Sequence, residues 1–261
     1  MIRIGPAGSA GLGNEKGLEK VHCLGLNAME IEFTYGVKMP DNQAKRLGEK
    51  AKGLDVMLSV HCPYYINLAS IDKAKVLASK KRILDSCQKA HLLGAKYIVF
   101  HAGFYQERNK KETYDIIKKE IRDMREIVKK NKWDVILAPE TTGKRTQFGD
   151  IDELLMLQKE TDCELCVDFS HILAREGTID YDMVFNKLEG IGHVHAHFSG
   201  IEYTAKGEKR HLITEKKDIR PLVSKIVGRG VDITIINESP EPIKDSIKIK
   251  ETISLVYSDS Q

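Results

Sequence analysis

Eight short apolar runs, each followed by a helical segment, constrain this chain more than any other feature it has. They lie at about 2–4, 28–33, 57–62, 96–100, 135–138, 163–168, 193–198 and 232–237. The run at 96–100 is apolar at nearly every position, as a parallel strand covered on both faces should be. Between the runs lie stretches of helical length. In the one from about 110 to 130, Ile116, Ile117, Ile121, Met124, Ile127 and Val128 keep an apolar stripe. Its dense Lys, Glu, Asp and Arg therefore form a solvated outer face. Strand and helix alternate without a linker, so 261 residues read as one domain, 1–261. The predicted fold is α/β, a single (β/α)8 barrel, with a doubly wound open sheet as the alternative.

A barrel of this kind carries its active site at the C-terminal ends of the strands. From the third strand on, this sequence puts His61, His101, Glu140, Asp168, His197 and Glu238 there. The plainest instance is Val167-Asp168-Phe169-Ser170-His171, where a strand stops at a carboxylate and an imidazole follows three residues later. The chemical reading brings Asp168 and His171 into one site. The plainer one makes Asp168 the cap of the next helix and His171 a surface residue. Recurrence along the chain favours the first. Clustered carboxylates and imidazoles raise one another's cost unless a cation compensates them. Mixed His, Asp and Glu ligation without thiolate suits zinc, manganese or iron at a catalytic site, and the count implies more than one ion. His193, His195 and His197 share one strand face, with His197 nearest the rim and His195 as the alternative ligand. Glu208-Lys209-Arg210-His211 reads as a loop from which His211 reaches back.

Composition closes off other classes. The net charge of +3 permits a nucleic-acid partner without indicating one. No apolar run approaches the roughly 20 residues of a membrane span, and the opening Met-Ile-Arg-Ile-Gly-Pro lacks a signal-peptide core. A cytoplasmic address with no membrane partner is expected. Five scattered cysteines read as reduced thiols. Cys163 and Cys166 have zinc-knuckle spacing, but an offset of three on a strand points them to opposite faces. Gly11-Leu12-Gly13 lacks the pattern of a phosphate loop and reads as a turn. The polar tail at 258–261 reads as a frayed end.

Taken together, His61-Cys-Pro-Tyr-Tyr-Ile-Asn-Leu, Phe100-His-Ala-Gly, Pro139-Glu-Thr-Thr-Gly, Val167-Asp-Phe-Ser-His, Ala196-His-Phe-Ser, Arg210-His-Leu and Asn237-Glu-Ser-Pro resemble the endonuclease IV family. That family of apurinic/apyrimidinic endonucleases lies within the wider xylose-isomerase-like barrel group, and the resemblance runs over about 1–242. It implies three zinc ions. The first would take His61, His101 and Glu140, with Glu140 bridging to a second held by Asp168, His197 and Glu238. His171 and His211 would hold the third. The family has an Asp two residues before the last histidine, where this chain has Lys209; either Glu208 substitutes, or the third site is weak or absent. The resemblance further implies hydrolysis 5′ to an abasic site in duplex DNA by a monomer, with Glu140 catalytic. Tyr64 would fill the gap left by a flipped nucleotide, Lys38 would enter the base stack, and Lys144 and Arg145 would touch phosphates.

Two other readings stand beside it. A metal-dependent sugar isomerase or epimerase of the same barrel group would use Glu140 and Glu238 as an acid/base pair and Asp168 as a ligand. A non-catalytic barrel would bind metal or DNA without turnover.

Overall fold

The computed structural model describes residues 1–259, so half of the expected frayed tail, Ser260 and Gln261, lies outside the described residues. In chain order the elements are β1 (Ile2–Pro6), α1 (Asn14–Cys23), β2 (Ala28–Glu32), α2 (Asp41–Gly53), β3 (Met57–His61), α3 (Lys73–Leu93), β4 (Tyr97–Phe100) and α4 (Lys110–Lys130). There follow β5 (Ile136–Pro139), α5 (Ile151–Thr161), β6 (Cys166–Asp168), α6 (Phe169–Glu176), α7 (Tyr181–Lys187) and β7 (Val194–Phe198). The chain ends with β8 (Gly200–Thr204), β9 (Gly207–Leu212), α8 (Lys216–Arg229), β10 (Ile233–Asn237) and α9 (Pro242–Asp259). All eight runs expected to be strands are strands. Ser258 and Asp259 continue α9, which corrects the expectation that they fray.

Four parallel strands, ordered β2-β3-β4-β5, form one half of the barrel wall, and β1-β10-β7-β6 form the other. Each seam between the halves holds one isolated bridge, Ala7 to Glu30 on one side and Glu140 to Cys166 on the other, with a further main-chain bond from Asn27 to Ile4 and from Glu164 to Leu137. Close approach at the first seam depends on Gly5, where a Cβ would sit 1.7 Å from the Ala28 carbonyl oxygen.

The helices pack their apolar faces on the outside of this wall. In α4, Ile117, Ile121, Met124 and Val128 are buried while Ile127 is exposed, so the stripe is narrower than the sequence suggested. Each such side chain contributes about 1.5–3 kcal/mol. Side chains fix the starts of α4 and α5: Asn109 with Glu112, and Asp150 with Glu153, form reciprocal capping boxes. Among the described residues no helix is long and apolar enough to cross a membrane.

Candidate metal centre

Strand direction decides where the chemistry collects. Because the barrel strands run parallel, the residues ending β3, β4, β5, β6, β7 and β10 meet at one rim: His61, His101, Glu140, Asp168, His197 and Glu238. Asp168 caps the next helix and also lies beside the His171 ring, 3.4 Å from its Nδ1. Asp168 Oδ1 accepts the His171 backbone N–H at 2.7 Å and caps α6, while Oδ2 is buried and makes no hydrogen bond. The plainer reading of His171 fails, because its side chain is buried in the site rather than on the surface.

Three groups result at the rim, in each of which one ligand-type atom per residue lies within 4.8 Å of the others: His61, His101 and Glu140; Glu140, Asp168, His197 and Glu238; His171, Glu208 and His211; a fourth, Cys166, His195 and His197, lies beneath them. Glu140 belongs to two of them, one oxygen to each. Its Oε2 lies 3.3 Å from His61 Nε2 and 2.9 Å from His101 Nε2, and its Oε1 lies 3.3 Å from His197 Nδ1. Oε1 also lies 3.2 Å from His171 Nδ1.

Hydrogen bonds fix which nitrogen each ring presents. His61 Nδ1–H donates to the Cys62 carbonyl at 2.8 Å and His171 Nδ1–H to the Thr141 carbonyl at 3.0 Å. Ser199 donates its own proton to the Gly200 carbonyl and so accepts from His211 Nδ1–H at 2.6 Å. All three rings therefore turn Nε2 toward the cavity, the nitrogen that a bound cation would find free once its proton is displaced. Glu140 Oε1, Asp168 Oδ2, His171 Nε2 and His197 Nδ1 are buried without a hydrogen bond. A divalent cation would satisfy them, and this donor set fits one.

Electrostatics describe the same cluster. Burial would push the Glu140 carboxyl up, but His101 and His197 outweigh it and hold it well below the usual range. Burial raises Asp168. Glu238 is brought down to about 2, His197 overcoming the effect of burial. Burial alone would lower His61, yet Glu140 and Glu32 push it up to about 10.

The third group corrects one expectation. Residues 208–211 are not a loop but belong to the antiparallel hairpin β8–β9. Pairing steps from Glu202–Arg210 to Tyr203–Glu208, leaving Lys209 as the extra residue of a bulge. In a regular strand Glu208 and His211 would face opposite ways; the added residue returns them to one side. Lys209 Nζ and Arg210 Nε both bind Glu202 at 2.6 Å, so neither cation enters the site. Glu208 approaches His171 Nε2 at 3.5 Å across Gly143, where a Cβ would lie 2.5 Å from the Glu208 Cβ.

Of the remaining expected residues, Tyr64 stands exposed at the rim with its ring centroid 6.4 Å from that of His61. Lys38 is exposed in the segment between β2 and α2. Arg145 is tied to the Arg175 carbonyl, and Lys144 is half-buried. His195 sits one layer deeper than the rim, stacked on Tyr97, and groups with Cys166 and His197 rather than with Glu140, Asp168 and Glu238. Sequence reasoning missed Glu30 and Glu32. They alternate along β2, facing the barrel interior, where a charged residue in an otherwise apolar strand was the available signal. Glu32 lines the site cavity of about 400 Å³ with His61, Tyr64 and Glu238, and burial pushes its carboxyl up to about 8.

Residues 18–255 match the xylose isomerase-like TIM barrel family. The chain belongs to that family. An uncharacterised protein of Methanocaldococcus jannaschii is 40% identical over 238 residues, covering 86% of each chain. A probable endonuclease 4 of Metamycoplasma arthritidis is 30% identical over 211 residues, 72% of this chain and 74% of that one. A crystal structure of a D-tagatose 3-epimerase-like protein superposes with a TM-score of 0.76 at 22% identity, covering 99% of this chain and 100% of that chain. At that identity the likeness concerns the barrel itself.

Proposed function

We propose that the protein is a metal-dependent endonuclease that hydrolyses the phosphodiester 5′ to an abasic site in duplex DNA, acting as a monomer with two or three zinc ions. Manganese or iron would suit the same donors. The observation that carries this reading is the division of Glu140, one carboxylate oxygen toward His61 and His101 and the other toward His197. A carboxylate placed between two ligand groups is the bridge that a multi-metal phosphoryl-transfer site needs. Bound divalent cations would supply Lewis acidity to the phosphate and acidify water. The 30% identical probable endonuclease 4 supports the same assignment.

The chain's own residues then divide the work. His61 and His101 hold one side of Glu140, and Asp168, His197 and Glu238 hold the other. His171, Glu208 and His211 provide for a third ion. Glu140 keeps its two groups at a fixed spacing and helps orient the attacking water. Tyr64, at the rim, fills the duplex where the abasic nucleotide leaves the stack, and Lys38 meets the strands from the neighbouring segment.

One observation favours a metal-dependent sugar isomerase or epimerase instead. Glu32 lines the cavity beside Glu238 yet belongs to none of the three ligand groups. Such a carboxyl suits a polyol's hydroxyls and proton transfer better than a phosphodiester. The deciding experiment is incision of a duplex carrying one synthetic abasic site, with metal content measured on the same sample before and after chelation. Cleavage on the 5′ side that disappears with the metal supports the nuclease. No cleavage by a loaded sample overturns it, and interconversion of ketohexoses by that sample would favour the second reading.

A further inference from the structure

Beneath the rim the barrel interior is polar where such interiors are usually packed with branched apolar side chains. Glu30 from β2, Ser59 from β3, and His195 and His197 from β7 are all buried. Glu30 Oε2 accepts from Ser59 Oγ at 2.6 Å and lies 3.1 Å from His195 Nε2. Glu30 Oε1 lies 2.9 Å from His197 Nε2, and neither of these two atoms has a hydrogen-bond partner. The other nitrogen of the same ring, Nδ1, lies 3.3 Å from Glu140 and 3.4 Å from Glu238. An ionised carboxylate shut away from water is costly unless it is paired, so volume alone does not account for Glu30.

We propose that Glu30 is a positioning residue whose carboxylate, 2.9 Å from His197 Nε2, draws the ring proton to that nitrogen by charge and so leaves the Nδ1 lone pair to the Glu140–Asp168–Glu238 group. A neutral imidazole carries one N–H, and the partner of that N–H decides which nitrogen is left to bind. His61, His171 and His211 are fixed by neutral acceptors, two carbonyls and a hydroxyl. His197 faces an anion instead, which also makes its free nitrogen a stronger donor. His195 and Ser59 act one step further back, by holding the second Glu30 oxygen. The inference rests on the reading of the rim as a metal site and identifies what tunes one of its ions.

The test uses the full chain and two substitutions. Glu30→Gln keeps shape and an acceptor while removing charge; Glu30→Met removes both. Chelator competition with Zn2+ should show one ion bound about 10–100-fold more weakly in Glu30→Met, with a smaller loss in Glu30→Gln and the remaining ions unaffected. Nitrogen-15 NMR of the metal-free chain should place the His197 proton on Nε2 in wild type and shift it toward Nδ1 in Glu30→Met. Should Glu30→Met fail to fold, unchanged affinity in Glu30→Gln together with an Nδ1–H tautomer in wild type overturns the proposal. Equal affinities and tautomers in all three proteins overturn it while leaving the metal reading intact. A wild-type chain that takes up no zinc removes both.

Discussion

Lys209 stands where the resemblance to endonuclease IV calls for an acidic ligand, and the bulge takes it out of the site. The proposed third ion therefore depends on Glu208. Glu208→Gln is expected to lower the bound metal by one ion per chain while Lys209→Ala leaves it unchanged, both read by elemental analysis after dialysis. Glu140→Gln should abolish incision with the fold retained, as circular dichroism and metal content would record. Tyr64→Ala should weaken binding to abasic duplex by about 1–3 kcal/mol, with intact duplex affected less; equal losses would make Tyr64 a general contact. The residues that could be read from sequence were those at strand ends, because a polar group where an apolar run stops is conspicuous. Glu30 and Glu32 sit inside a run, where a lone glutamate gives the same sequence signal whether it faces solvent or the barrel interior.

Elements were easier to read than the connections between them. Helical periodicity and strand-forming runs are local properties, so the eight barrel strands and the helices of the outer layer follow from them. The hairpin β8–β9 does not. Its strands are short, polar and only partly buried, and their pairing depends on contacts with α6 and with the loop at Gly143. Capping also acts locally. Asn109→Ala removes the side-chain acceptor for the Glu112 N–H and should cost about 1 kcal/mol in denaturant unfolding. Metal binding should be untouched, since α4 lies on the outer layer.

Across the whole molecule, the last helix is joined to the barrel through Asp245. The Thr214 backbone N–H donates to its Oδ2 at 2.7 Å, and Lys248 lies 2.7 Å from its Oδ1. Burial would raise this carboxyl, but Lys248, Ser239 and the Thr214 N–H together hold it below the usual range. A carboxyl depressed in the folded state stabilises above its unfolded pKa, and that contribution is lost as pH falls through the folded value. Asp245→Asn should therefore lower the melting temperature at neutral pH, and the gap from wild type should close in acid, as paired thermal melts would show. The two seams of the wall have a wider consequence. Each has one isolated bridge near the rim, and those bridges run through the backbones of Glu30 and Glu140. The residues whose carboxylates line the proposed site, or stand behind one of its ligands, are also ones whose backbones join the two halves. Cation loading and closure should then rise and fall together: stripping the ions would loosen the wall along two lines, with amide exchange quickening there first, and the protein would lose its working end while most of its outline survived.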